Sequence, residues 1–101
     1  MHQPNIPISR NQVAEYCQRW KITEFALFGS VLRDDFRPDS DVDVLISFAA
    51  DTHWSLFDLV EMQEELKKLF GREVDLVERE GLRNPFRRRS ILDSMQVVYG
   101  S

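Results

Sequence analysis

Between Asp41 and Phe48 the chain alternates in two registers, and no other stretch constrains the fold as strongly. In an extended segment Val42, Val44, Ile46 and Phe48 fall on one side, and Asp41, Asp43, Leu45 and Ser47 on the other. A strand with one wholly apolar side must pack that side on a core. Its carboxylates then lie on the opposite side, near one end. Side chains at i and i+2 are rooted roughly 6–7 Å apart, close enough to converge on one or two divalent ions. Like charges so placed repel, and either a cation or solvent relieves them. Metal ligation and plain exposure at a strand start are both open to this motif by itself.

The rest of the chain supplies partners for that strand. Ser9 and Gln12 have the spacing of a capping box, and Val13, Tyr16, Cys17 and Trp20 recur at helical spacing, which predicts a helix near 9–20. Ile22 to Phe28 is rich in β-formers and runs into Gly29-Ser30, so it reads as a strand ending in a turn. A short helical turn over 31–33 and a polar loop over 34–40 follow. Ser55 with Asp58 caps a helix over about 56–70, striped by Leu59, Met62, Leu66 and Leu69. Glu64 and Lys68 can pair along it, and Gly71 takes the C′ position. Trp54 and Phe57 read as anchors of this helix on the core, the alternative being a face for a partner.

Glu73 to Glu78 is a third strand, with Val74 and Leu76 opposite Asp75 and Val77. Asn84-Pro85 opens a helix to about Met95, with Ile91, Leu92 and Met95 toward the core. Arg87 to Arg89 then form its solvated side, or a contact for phosphate or an acidic partner. Val97 to Tyr99 closes the sheet. The expected fold is α+β: a small mixed sheet with the two carboxylate strands adjacent and helices packed mainly on one face. The 101 residues make a single domain, with 1–8 as a flexible arm.

Charge and cysteine usage narrow the functions. A formal net charge of −4 argues against direct nucleic-acid binding by the chain alone. The one cysteine, Cys17, excludes an intrachain disulfide and fits a reducing compartment. The N-terminus lacks a signal pattern and no apolar run approaches the ~20 residues of a membrane span. A cytoplasmic protein without membrane contact is the expectation. His2 and His53 read as bystanders.

Two further features bear on chemistry. Gly29 permits a sharp turn and close approach of backbone to a ligand, and Ser30 adds a hydroxyl. The N–H groups that follow can face phosphate oxygens, although Gly-Ser after a strand is also an ordinary turn. Asp75 is a charge between Val74 and Leu76. It either sits on an exposed sheet face or joins Asp41 and Asp43 as a third carboxylate at one edge.

Gly29-Ser30, ten residues, then Asp41-x-Asp43, with Ser40 just before and Asp75 in Glu-Val-Asp-Leu-Val, resembles the DNA polymerase beta-type nucleotidyltransferase superfamily. More closely, the chain is similar to the minimal nucleotidyltransferases, short prokaryotic proteins paired with HEPN-domain toxins. The signature spans residues 28–75, and the element order extends it over nearly the whole chain. The resemblance implies two-metal transfer of a nucleoside monophosphate from a nucleoside triphosphate to a hydroxyl. Asp41 and Asp43 would hold two Mg2+ ions, which in such sites sit about 4 Å apart. Asp75 would ligate the ion beside the acceptor hydroxyl and help remove its proton. Gly29 and Ser30 would hold the β- and γ-phosphates. Arg33 would neutralise phosphate charge, or else bridge Asp34, Asp35 or Asp39.

The same resemblance implies an antitoxin that moves AMP from ATP to a tyrosine of a cognate HEPN RNase toxin, in a hetero-oligomer with a toxin dimer. Two alternatives stand beside it. One is an antitoxin that neutralises by binding alone. The other is a small-molecule nucleotidyltransferase, a class that generally carries an added substrate domain.

Overall fold

A computed structural model describes residues 9–32 and 40–100. The order is α1 (Arg10–Arg19), β1 (Ile22–Phe28), a 3-10 turn (Gly29–Leu32), β2 (Val42–Phe48), α2 (Leu56–Phe70), β3 (Val74–Glu78), a second 3-10 turn (Arg79–Gly81), α3 (Pro85–Ser94) and β4 (Gln96–Tyr99). The expected arm over 1–8, residue 33 of the short helical turn, and residues 34–39 of the polar loop lie outside the described residues.

The four strands form one mixed sheet in the order β3-β2-β1-β4. β1 is antiparallel to both β2 and β4, and β2 is parallel to β3. A parallel pair needs a crossover, and α2 provides it. The two carboxylate strands are therefore neighbours, as the sequence implies.

Helix ends are set locally. Ser9 Oγ accepts from the Gln12 amide at 3.3 Å, which caps α1. Ser55 and Asp58 form a reciprocal capping box at the start of α2. Gly71 ends α2 in the left-handed conformation, its N–H bonded to the Lys67 carbonyl. Asn84 Oδ1 accepts from the amides of Phe86 and Arg87 ahead of α3, with Pro85 at the first helical position. On the surface of α2, Glu64 meets Lys67 at 3.6 Å, one residue short of the Lys68 that its spacing suggests.

Two cores sandwich the sheet. The larger packs Val13, Tyr16 and Cys17 of α1 and Met62 and Leu66 of α2 on Phe25, Leu27, Val42, Val44, Ile46 and Val74. The smaller holds Ala26, Phe28, Leu45, Leu82 and Ile91, with Leu92 and Met95 packed against it. Two helices thus cover one face and α3 covers part of the other. The first core is dry enough to act on its polar groups. Burial pushes the Cys17 thiol up to about 12. It drives the Tyr16 phenol further above its usual value, and that hydroxyl donates to the Met62 carbonyl at 3.2 Å.

The aromatic pair before α2 divides. Trp54 is half-buried, donates from Nε1 to the Trp20 carbonyl at 3.0 Å and meets the Trp20 ring edge-on at 5.2 Å. Phe57 is 87% exposed and anchors nothing, which corrects its reading as core. Among the described residues no helix is long and apolar enough to cross a membrane.

Candidate active site

Strand directions gather the site. β1 is antiparallel to β2, so its last residues meet the beginning of β2; β3, parallel to β2, begins beside them. The Gly29 turn, Asp43 and Asp75 consequently share one end of the sheet. Phe28 pairs with Asp43 across β1 and β2, and Asp43 pairs with Asp75 across β2 and β3. The Val42 amide bonds the Glu73 carbonyl at 2.9 Å and fixes this register at the strand entrance.

Neighbouring strands stand about 4.8 Å apart, and residues in register project to the same side. Asp43 and Asp75 are thus rooted next to each other, on the side of the sheet that α3 partly covers. Asp43 is half-buried and Asp75 is exposed. Asp41 is exposed and lies one residue outside β2, two before Asp43. Further along that side Leu45 enters the smaller core, and Ser47 is buried and donates to Glu80 Oε1 at 2.9 Å. Among the described residues, only the first part of the carboxylate side is left open.

Gly29 is tied to Asp43 more tightly than the sequence suggests. Its φ is +76°, a conformation that L side chains rarely adopt. A Cβ added there would stand 3.2 Å from Asp43 Cγ and closer still to Oδ2. The Asp43 carboxylate therefore fills the space that a side chain at position 29 needs. A glycine after a strand signals a turn; that the turn also shelters a carboxylate follows only from the β1–β2 register. Ser30 continues the same 3-10 turn. Arg33 and its candidate partners Asp34, Asp35 and Asp39 lie outside the described residues.

Asp41, Asp43 and Asp75 make an all-oxygen donor set, the kind that suits a hard divalent cation such as magnesium. Among the described residues no three His, Cys, Asp or Glu side chains are gathered as ligands round a single point. The backbone brings the three residues to one edge of the sheet. His53, exposed in the loop after β2, lies at the other end of the sheet, where it lines a cavity of about 560 Å³ with Phe48, Trp54 and Glu78.

Comparison with known proteins gives the family and the fold. The family model described as a nucleotidyltransferase domain matches residues 9–98. A protein adenylyltransferase MntA of Thermococcus cleftensis is 37% identical over 70 residues, 69% of each chain. A toxin–antitoxin structure solved with AMP-PNP superposes with a TM-score of 0.74 at 21% identity, covering 93% of this chain and 75% of that one. A complex of tri-AMPylated Shewanella oneidensis HEPN toxin with its MNT antitoxin gives 0.66 at 21%, covering 91% and 70%. At such identities the two structures establish likeness of fold.

Proposed function

This chain belongs to the nucleotidyltransferase domain family, and from that membership we propose that it is a cytoplasmic antitoxin that transfers AMP from ATP to a tyrosine of a HEPN-domain toxin. The observation that carries the chemistry is the register of Asp43 with Asp75 beside the Gly29 turn. Support for a protein acceptor comes from the adenylyltransferase relative and from the fold shared with the HEPN complex.

In this reading Asp41, Asp43 and Asp75 would hold two magnesium ions, whose charge steadies the attacking and leaving oxygens. The backbone of Gly29 and Ser30 would carry the β- and γ-phosphates, since a glycine turn offers N–H groups without a Cβ in the way. Asp75, the outermost of the sheet carboxylates, would take the proton of the acceptor hydroxyl. The acceptor oxygen bonds the α-phosphorus, the bond to the bridging oxygen breaks, and pyrophosphate leaves. The acceptor's own surface positions its hydroxyl.

Incubation with a cognate HEPN-domain protein, ATP and magnesium is expected to give AMP adducts on a tyrosine of that protein, read by peptide mass spectrometry. An intact complex that yields no adduct would overturn transfer. If Asp41→Ala/Asp43→Ala then still protects cells expressing the toxin, neutralisation is by binding.

A further inference from the structure

At the end of the sheet away from the carboxylates, the loop between β2 and α2 walls a cavity of about 560 Å³. Small-molecule sites typically measure roughly 300–1,000 Å³ and combine an apolar wall with a few polar groups. Here the apolar wall is Phe48, Trp54 and Leu59, all half-buried. Trp54 is fixed from behind, its Nε1 donating to the Trp20 carbonyl at 3.0 Å. The polar lining is Thr52, Glu78 and Glu80. Thr52 Oγ1 is the one buried side-chain nitrogen or oxygen without a hydrogen-bond partner among the described residues. Buried polar atoms are nearly always paired, and an exception points to a water, ion or ligand that completes it. Among the described residues no hydrogen bond or ion pair engages the Glu78 carboxylate. Glu80 is held at the rim through Oε1, which accepts from Ser47 at 2.9 Å.

We propose that this cavity binds a small organic cation, an ammonium or guanidinium group on a short apolar stem. Ionised carboxylates only accept hydrogen bonds, so the end of the ligand that meets Glu78 and Glu80 carries N–H donors and positive charge. Phe48, Leu59 and Trp54 take the stem, and an aromatic face also attracts a cation. The Thr52 hydroxyl can donate or accept, and finds its missing partner there. Among the described residues no lysine or arginine lines the cavity. Arg79 turns instead to Glu24 at 3.0 Å, and Lys21, whose carbonyl takes the Ala49 amide, stays outside the lining. Phosphate-bearing ligands meet repulsion from the same carboxylates. A bare metal ion is disfavoured, because His53, Glu78 and Glu80 do not gather round one point.

Topology separates this cavity from the proposed chemistry. Phe48 stands five residues after Asp43 on β2, about 16 Å at the rise of a strand. A ligand here and a nucleotide at the Gly29 turn do not compete for space. Binding requires neither the transfer reaction nor the HEPN partner.

The test titrates the chain with agmatine, a guanidinium and an amine joined by a short carbon stem, and follows the Trp54 indole and Thr52 amide signals by NMR. Saturable shifts of both are expected, and none from the uncharged N-butylurea at the same concentrations. Glu78→Gln changes an exposed position and keeps its shape. It is expected to weaken agmatine about 10-fold or more, the effect of losing a hydrogen bond to a charged group. Thr52→Val, its fold checked by circular dichroism, is expected to weaken agmatine several-fold. Asp43→Asn/Asp75→Asn is expected to bind agmatine like the wild type. A wild type without saturable shifts, or folded Glu78→Gln and Thr52→Val variants with wild-type affinity, overturns the site. Equal binding of N-butylurea overturns its selection for a cation. Tighter binding of a blocked arginine, N-acetyl-arginine methylamide, assigns the cavity to a protein side chain and overturns the free ligand.

Discussion

Asp43→Asn combined with Asp75→Asn is expected to lower AMP transfer by about 10³-fold or more while leaving the fold intact. The size follows from the charge removed. A loss of about 4 kcal/mol of transition-state stabilisation is a thousandfold in rate, and electrostatic groups at a reacting centre supply terms of that order. The amides keep the shape of the carboxylates, so the packing of Asp43 beside Gly29 is retained. Magnesium is expected to raise the melting temperature of the wild type, because a cation that binds the folded state stabilises it, and to leave that of the variant unchanged. Transfer assays and melting curves check both halves. A variant that melts early and loses activity in proportion would reduce the two residues to a structural role.

The second large effect is at Gly29. Gly29→Ala is expected to destabilise the chain by about 2 kcal/mol or more and to cut transfer about 100-fold. The left-handed backbone alone costs an L residue roughly 1–2 kcal/mol, and the new Cβ meets the Asp43 carboxylate. Relief requires Asp43 to move, and a displacement of about 1 Å at a reacting centre is worth some 10² in rate. Gly71→Ala is the control. Gly71 has the same sign of φ, +71°, with nothing within 4 Å of the added Cβ. It is expected to lose about 1 kcal/mol and no activity. Denaturant unfolding and transfer rates of the pair isolate the contact with Asp43. Equal losses of stability and activity in the two variants would remove that contact from the account.

What the sequence discloses depends on how local each determinant is. The period-two pattern of Val42, Val44, Ile46 and Phe48 suffices to identify β2 and its buried side, because side-chain alternation is a property of the strand alone. The capping residues Ser55, Asp58 and Asn84 likewise mark helix starts through bonds made within one turn. For α3 they are nearly the whole signal: residues 85–90 are all exposed and Ile91 is the one buried residue of the helix. Partnerships between distant elements are less legible. The placing of Asp75 beside Asp43 depends on the α2 crossover and the parallel register, which the spacing permits without dictating. The fit of the Asp43 carboxylate against Gly29 depends on the β1–β2 pairing. Phe57 is misread because hydrophobicity says that a side chain seeks an apolar surface, and only the helix arc says whether that surface belongs to this chain.

The most direct measurement of the central claim follows the phosphorus. Wild-type chain, the cognate HEPN-domain protein and magnesium are incubated with ATP labelled at the α-phosphorus and, in parallel, at the γ-phosphorus. Nucleotidyl transfer retains the α-phosphorus on the acceptor and releases the γ-phosphorus in pyrophosphate. The account predicts label on the HEPN-domain protein from the first ATP, none from the second, and none from either with Asp43→Asn/Asp75→Asn. Label from γ-labelled ATP, or α-label undiminished in that variant, would contradict it.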